Sequence, residues 1–181
     1  MKKFEKLLLV LGAVLIAAGV FVFRVNTAET AAPAETFGSL TFTAQELYGG
    51  ELSSEELFSR ADVTMINVWA SYCAPCAREL PELSELNKEL AGKGAQIITI
   101  LWDSDTPDTD EAEIAFDVLE DSGTELMCLL HNNILDSLLS EDIVGMPTSF
   151  LVDSGGNIIA PAKTGADSKE NYEKWISDHI G

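Results

Sequence analysis

The stretch VTMINVWASYCAPCARELPEL, residues 63–83, decides the fold. Val63 to Ala70 is almost continuously apolar and β-branched, the pattern of a strand buried on both faces of a mainly parallel sheet. Leu80, Leu83, Leu86 and Leu90 then recur at helical spacing, so a helix over Ala77 to Leu90 follows the strand directly, with Pro81 expected to kink it. Further along, Gln96 to Trp102 predicts a second buried strand, Glu111 to Asp121 a helix, Glu125 to Leu130 a short strand and Ile134 to Leu139 another helix. Thr148 to Val152 and Asn157 to Ile159 flank DSGGN and predict a hairpin, and Ser168 to Ile180 closes the chain as an amphipathic helix. Upstream, Phe37 to Thr43 reads as a strand and Ser53 to Ser59 as a short helix. Strands alternating with helices, ending in a hairpin and a helix, predict an α/β architecture with a mixed central sheet.

Cys73 and Cys76 fall where the first buried strand ends and its helix begins. Unpaired N–H groups and the positive end of the helix dipole stabilise a thiolate there, which makes Cys73 the nucleophile and Cys76, one turn deeper, the resolving thiol. With two residues between them, the side chains close a disulfide with little backbone movement and can cycle between dithiol and disulfide. The thiols carry this chemistry alone, with no cofactor and no metal. Two alternatives stay open on the residues themselves. A C-x-x-C is also half of a zinc site, for which Cys128 and His131 would supply the other half, although Cys128 lies within an apolar strand pattern. A thiol peroxidase would use a related scaffold but needs a single peroxidatic cysteine rather than a vicinal pair.

The amino terminus differs from the rest. Lys2, Lys3 and Lys6 precede 17 uncharged residues, Leu7 to Phe23, at the short end of what a membrane-spanning helix requires. Residues 1–25 are therefore expected to be a cytoplasmic stub and transmembrane anchor, 26–36 a flexible spacer, and 37–181 an exported domain. The alternative is a cleaved signal peptide, but the apolar run exceeds the usual h-region of about 7–15 residues, and the first A-x-A-like site, Ala32-Pro33-Ala34, lies well beyond it. The formal net charge is −19, and beyond Arg24 there are 7 basic and 29 acidic residues. Such a surface argues against a nucleic-acid partner, which needs a cationic footprint.

Taken together, NVWASYCAPCARELPEL, GMPTSFLVDSGGNII and the apolar amino-terminal segment resemble the TlpA/ResA-like branch of the thioredoxin superfamily, from about Phe37 to the carboxyl end. The resemblance implies a thioredoxin-like fold with an inserted helix–strand unit, Glu111 to Leu130, and a redox centre at Cys73 and Cys76. It also implies a cis-proline loop at Met146-Pro147-Thr148 that packs beside the disulfide and binds the substrate chain. Proteins of this kind serve as membrane-anchored extracytoplasmic reductases, for instance of apocytochrome c or copper-site thiols, drawing electrons from a transmembrane dithiol carrier. Some carry a buried glutamate just after the strand matching Gln96 to Trp102. Here that place holds Asp103-Ser104-Asp105, which makes Asp103 the candidate acceptor for the Cys76 proton.

Overall fold

A computed structural model describes residues 36–180. Among the described residues, seven strands and five helices follow one another in the order β1 (Thr43–Gln45), β2 (Glu51–Ser53), α1 (Ser54–Phe58), β3 (Val63–Trp69), α2 (Ala74–Leu90), β4 (Ala95–Leu101), α3 (Asp110–Asp121), β5 (Met127–Leu130), α4 (Asn133–Leu139), β6 (Thr148–Asp153), β7 (Lys163–Thr164) and α5 (Lys169–Ser177). The main sheet has the order β5-β4-β3-β6-β7, and β1 and β2 form a separate antiparallel pair. Strands β3, β4 and β5 run parallel, while β6 runs antiparallel to β3 and β7 antiparallel to β6. This is the expected mixed α/β sheet of the thioredoxin-like fold, and the helix–strand unit inserted before β6 is α3 with β5.

Every residue of β3 is buried, because the strand lies at the centre of the sheet with a layer on each face. Val63, Met65 and Trp69 pack with Leu80, Leu83 and Leu86 of α2 and with Tyr172 and Ile176 of α5. Ile66 and Val68 point the other way, against Phe58, Leu135, Leu139 and Phe150. Burying each such leucine or isoleucine is worth about 1.5–3 kcal/mol, so the two apolar layers fix which face of β3 each helix covers. The alternation also assigns three polar residues to the α2 face: Asn67 on β3, Thr99 on β4 and Ser149 on β6, all fully buried.

Four expectations need correction or placement. The upstream ladder lies at Thr43–Gln45 rather than over Phe37 to Thr43, since residues 37–40 dock onto the turn after β6: Phe37 N–H donates to Ile158 O and Leu40 N–H to Gly156 O. Asn157 to Ile159 does turn back on β6, through the Val152–Ile158 bridge and through Asp153 N–H to Asn157 O and Ile159 N–H to Leu151 O, both at 2.9 Å, while β7 pairs with the start of β6 at the same edge. Gly156, at φ +84°, permits the close approach, because a Cβ there would lie 2.8 Å from Leu40 O. Helix α2 runs unbroken from Ala74 to Leu90 through Pro81. The apolar segment Leu7 to Phe23 lies outside the described residues; among the described residues no helix is long and apolar enough to cross a membrane.

Candidate redox site

Cys73 is the N-cap residue of α2, with extended backbone (φ −85°, ψ 93°), and its Sγ accepts a hydrogen bond from Cys76 N–H at 3.3 Å. Pro75 occupies the first turn, where its missing N–H leaves no intrahelical bond unmade. Cys73 and Cys76 are joined in a disulfide with a Cα–Cα distance of 5.3 Å. The two cysteines are not equivalent: Cys73 retains 7% exposure and Cys76 has none. Tyr72, immediately before the pair, is 79% exposed.

The segment joining β3 to α2 is fastened on both sides. Trp102 N–H donates to Trp69 O at 2.8 Å and Cys73 N–H to Ala70 O at 2.9 Å. Asp103 accepts from Ser71 N–H with both oxygens at 3.1 Å, and from Ser71 Oγ at 2.6 Å. The Asp103 carboxylate is thus engaged with Ser71, two residues before Cys73.

On the adjoining loop the Met146–Pro147 peptide is cis. Thr148 Oγ1 donates to Gly145 O at 2.7 Å, and Pro147 O accepts from Gly165 N–H at 2.8 Å. Among the described residues, neither the N–H nor the C=O of Met146 pairs with another backbone group. The half-buried Met146 side chain packs against both apolar layers, including the one that holds Cys73 and Cys76.

Sequence reading did not single out Glu79. It is only 5% exposed, on the same helix as Cys76 and one turn on. Asn67 Nδ2 donates to its Oε1 at 2.8 Å; Tyr172 Oη at 3.2 Å and Asp167 N–H at 3.3 Å donate to its Oε2. Burial pushes its carboxyl above the usual glutamate range, and these three donors only partly counter that. A signal for it existed: residues 76, 79, 80 and 83 share one helical stripe, so the spacing that buries Leu80 and Leu83 buries Glu79 with them.

Cys128 and His131 lie apart in character. Cys128 is a buried free thiol on β5, and burial pushes it up to about 11. His131 stacks edge-on against Trp102 at 4.5 Å, with Asp136 at 3.8 Å. Among the described residues, no three His, Cys, Asp or Glu side chains gather as a metal site.

A vicinal cysteine pair capping the helix after the central strand of this sheet defines a thiol-disulfide oxidoreductase of thioredoxin-like fold. Residues 39–160 match the AhpC/TSA family, and the chain belongs to that family. It is 27% identical over 146 residues to the thiol-disulfide oxidoreductase ResA of Bacillus thuringiensis subsp. konkukian, a match covering 75% of this chain and 72% of that protein. Over 113 residues it is 30% identical to the thiol:disulfide interchange protein DsbE of Haemophilus influenzae, covering 62% and 57%. Its fold is shared with a thioredoxin-family thiol:disulfide interchange protein of Chlorobium tepidum, at TM-score 0.67 and 21% identity, over 83% of this chain and all of the other.

Proposed function

We propose that the protein is a membrane-anchored, extracytoplasmic reductase of protein disulfides in which Cys73 attacks and Cys76 resolves. The single observation that carries this reading is the asymmetric Cys73–Cys76 disulfide at the start of α2: the capping cysteine retains slight exposure and its partner has none. In the reduced state the helix N-terminus stabilises a thiolate at Cys73. That thiolate attacks one sulfur of the client disulfide, forming a mixed disulfide and releasing the other client sulfur as a thiolate. Cys76 then gives up its proton and attacks Cys73 Sγ. The mixed disulfide breaks, the second client sulfur leaves and takes up a proton, and two electrons have passed to the client.

Glu79 is the group suited to receive the Cys76 proton: it is buried on the same helix and its proton affinity is raised. Asp103, the acceptor suggested by the sequence, acts instead by anchoring Ser71. Its two oxygens hold the loop in front of Cys73 with three hydrogen bonds. Met146, Pro147 and Thr148 bind the client. The unpaired N–H and C=O of Met146 can pair with an extended client backbone as an added strand does, and Pro147, lacking an N–H, presents no unpaired donor there.

The strongly acidic surface favours reduction, because negative charge disfavours a thiolate, though screening keeps the effect small. Residues 1–25 are assigned as anchor, 26–36 as spacer and 37–181 as the exported domain. A transmembrane dithiol carrier would restore the Cys73/Cys76 dithiol. The test is reduction of insulin disulfides by the full-length protein with a dithiol reductant: turnover is expected for the unaltered protein and its loss in Cys73→Ser. Equal turnover by both would overturn the reading.

A further inference from the structure

Three elements far apart in sequence converge on one carboxylate. Asn67 from the centre of β3 and Tyr172 from the carboxyl-terminal helix α5 are both fully buried, and both donate to Glu79. Asn67 Nδ2 also donates to Ser149 Oγ on β6 at 3.2 Å, so β3, β6, α2 and α5 meet in one polar cluster beneath the redox helix. A polar cluster in an otherwise apolar layer is costly unless each member is engaged. Leu or Phe at these places would serve packing as well. Tyr172 is the largest of these groups and lies 93 residues from Glu79 in sequence.

We propose that Tyr172 is a positioning residue of the redox site: its hydroxyl, together with the Asn67 amide, keeps the buried Glu79 carboxylate charged and aimed, so that helix α5 sets the pH at which Glu79 takes a proton. The inference rests on the assignment of Glu79 as acceptor of the Cys76 proton. A hydrogen bond donated to a carboxylate favours its ionised form, so removing the donor makes Glu79 hold its proton to higher pH. The bond has a reciprocal effect on the phenol, whose hydroxyl is pushed well above the usual tyrosine range by burial and by the Glu79 charge. Tyr172 therefore remains a donor throughout the working range.

The charged groups around Glu79 are few. Asp167, on the segment before α5, gives its N–H to Glu79 Oε2, while its carboxylate is held by Lys163 at 2.7 Å and Asn171 at 2.6 Å. Those contacts keep Asp167 ionised down to about pH 2, so its negative charge raises the proton affinity of Glu79 at every relevant pH. The Lys163 ammonium stands 5.3 Å from the Tyr172 ring centroid and 5.2 Å from that of Trp175, tying the same loop to α5. On α2 itself, Arg78 and Glu82 line with Glu79, Pro75, Ala166 and Asp167 a surface cleft of about 180 Å³. That cleft gives a proton on Glu79 a short way out to water beside the Cys76 turn.

The experiment is performed on the full-length protein carrying ¹³C-labelled glutamate. In the disulfide form, the side-chain carboxyl resonance that vanishes in Glu79→Gln is followed against pH, in the unaltered chain and in Tyr172→Phe. In parallel, the decay of a mixed disulfide preformed between Cys73 and a glutathione probe is measured against pH for both chains. The expected result is that the Glu79 midpoint moves to higher pH in Tyr172→Phe and that the decay profile moves with it. A Glu79 midpoint that does not move would overturn the proposal. A midpoint that moves while the decay profile stays fixed would support the hold of Tyr172 on Glu79 and refute Glu79 as the acceptor for Cys76, so the two failures are distinct. If Tyr172→Phe does not fold, 3-fluorotyrosine at position 172 keeps the ring and hydroxyl and makes a stronger donor. It should move the Glu79 midpoint to lower pH, and no movement would overturn the proposal.

Discussion

Replacing Glu79 once by alanine and once by glutamine separates the hydrogen bonds it accepts from the charge it carries. In Glu79→Ala, Tyr172 Oη and Asn67 Nδ2 lose a shared acceptor while remaining fully buried. A buried donor left unpaired costs about 1–3 kcal/mol, so the two together cost about 2–6 kcal/mol, offset in part by removal of a buried charge. In Glu79→Gln the amide oxygen still accepts from Tyr172 and Asp167. The new amide N–H₂ finds an acceptor if the Asn67 amide turns, because Asn67 Oδ1 has no partner among the described residues. The Gln variant should therefore unfold in urea within about 1 kcal/mol of the unaltered protein at pH 7, well above the Ala variant. The pH dependence has a definite sign. The Glu79 carboxyl is raised in the folded state, so its contribution favours folding in acid and is lost as pH rises through the folded value. Relative to the unaltered protein, the Gln variant should accordingly gain stability from below the ordinary glutamate value of 4.5 up through the folded value, then level off. Urea midpoints of the disulfide form, followed by tryptophan fluorescence between pH 4 and 8, read both effects. Equal losses for the two variants, or a pH-independent gap between the unaltered protein and the Gln variant, would refute the reasoning.

Further expectations concern the surroundings of the pair and the amino terminus. Cys128→Ala should leave insulin reduction within a few-fold, and native Cys128 should resist iodoacetamide at pH 8, since burial holds its thiol at about 11; rapid alkylation would refute its inertness. Ser71→Ala removes a 2.6 Å hydrogen bond to the Asp103 carboxylate and should lower stability by about 1.5 kcal/mol in urea unfolding, whereas an unchanged midpoint would show that the bond does not anchor the loop. Cell fractionation should find the full-length chain in membranes, and a soluble form beginning near Glu35 would show cleavage instead.

Those parts of the fold that depend on local pattern were legible in the sequence. The apolar run Val63 to Trp69 and the leucine stripe of α2 are one-dimensional signals, and they place Cys73 at the helix cap without reference to any other segment. The GMPT motif led to the cis bond through its resemblance to a family, not through spacing. What was not legible involves partners supplied by distant segments. Asp103 reads as one acid in an acidic loop until Ser71, 32 residues away, is found against it. Glu79 looks like a solvated helix acid because its charge masks the stripe it shares with Leu80 and Leu83. The donors from Asn67, Tyr172 and Asp167, brought together by the sheet and by α5 with the segment before it, make its burial tolerable. The turn back from β6 to Asn157–Ile159 was legible in DSGGN, but not that residues 37–39 would take the outer edge of that returning segment.

The most direct test of disulfide exchange through an attacking Cys73 is to trap the intermediate. The full-length Cys76→Ser chain, in its reduced form, is mixed with a peptide carrying a single disulfide, and the adduct is mapped by mass spectrometry after proteolysis. The expected result is one stable mixed disulfide, on Cys73, that dithiothreitol releases and that Cys73→Ser does not form. Adduct on Cys128, or equal trapping by Cys76→Ser and Cys73→Ser, would contradict the assignment of Cys73 as the attacking thiol.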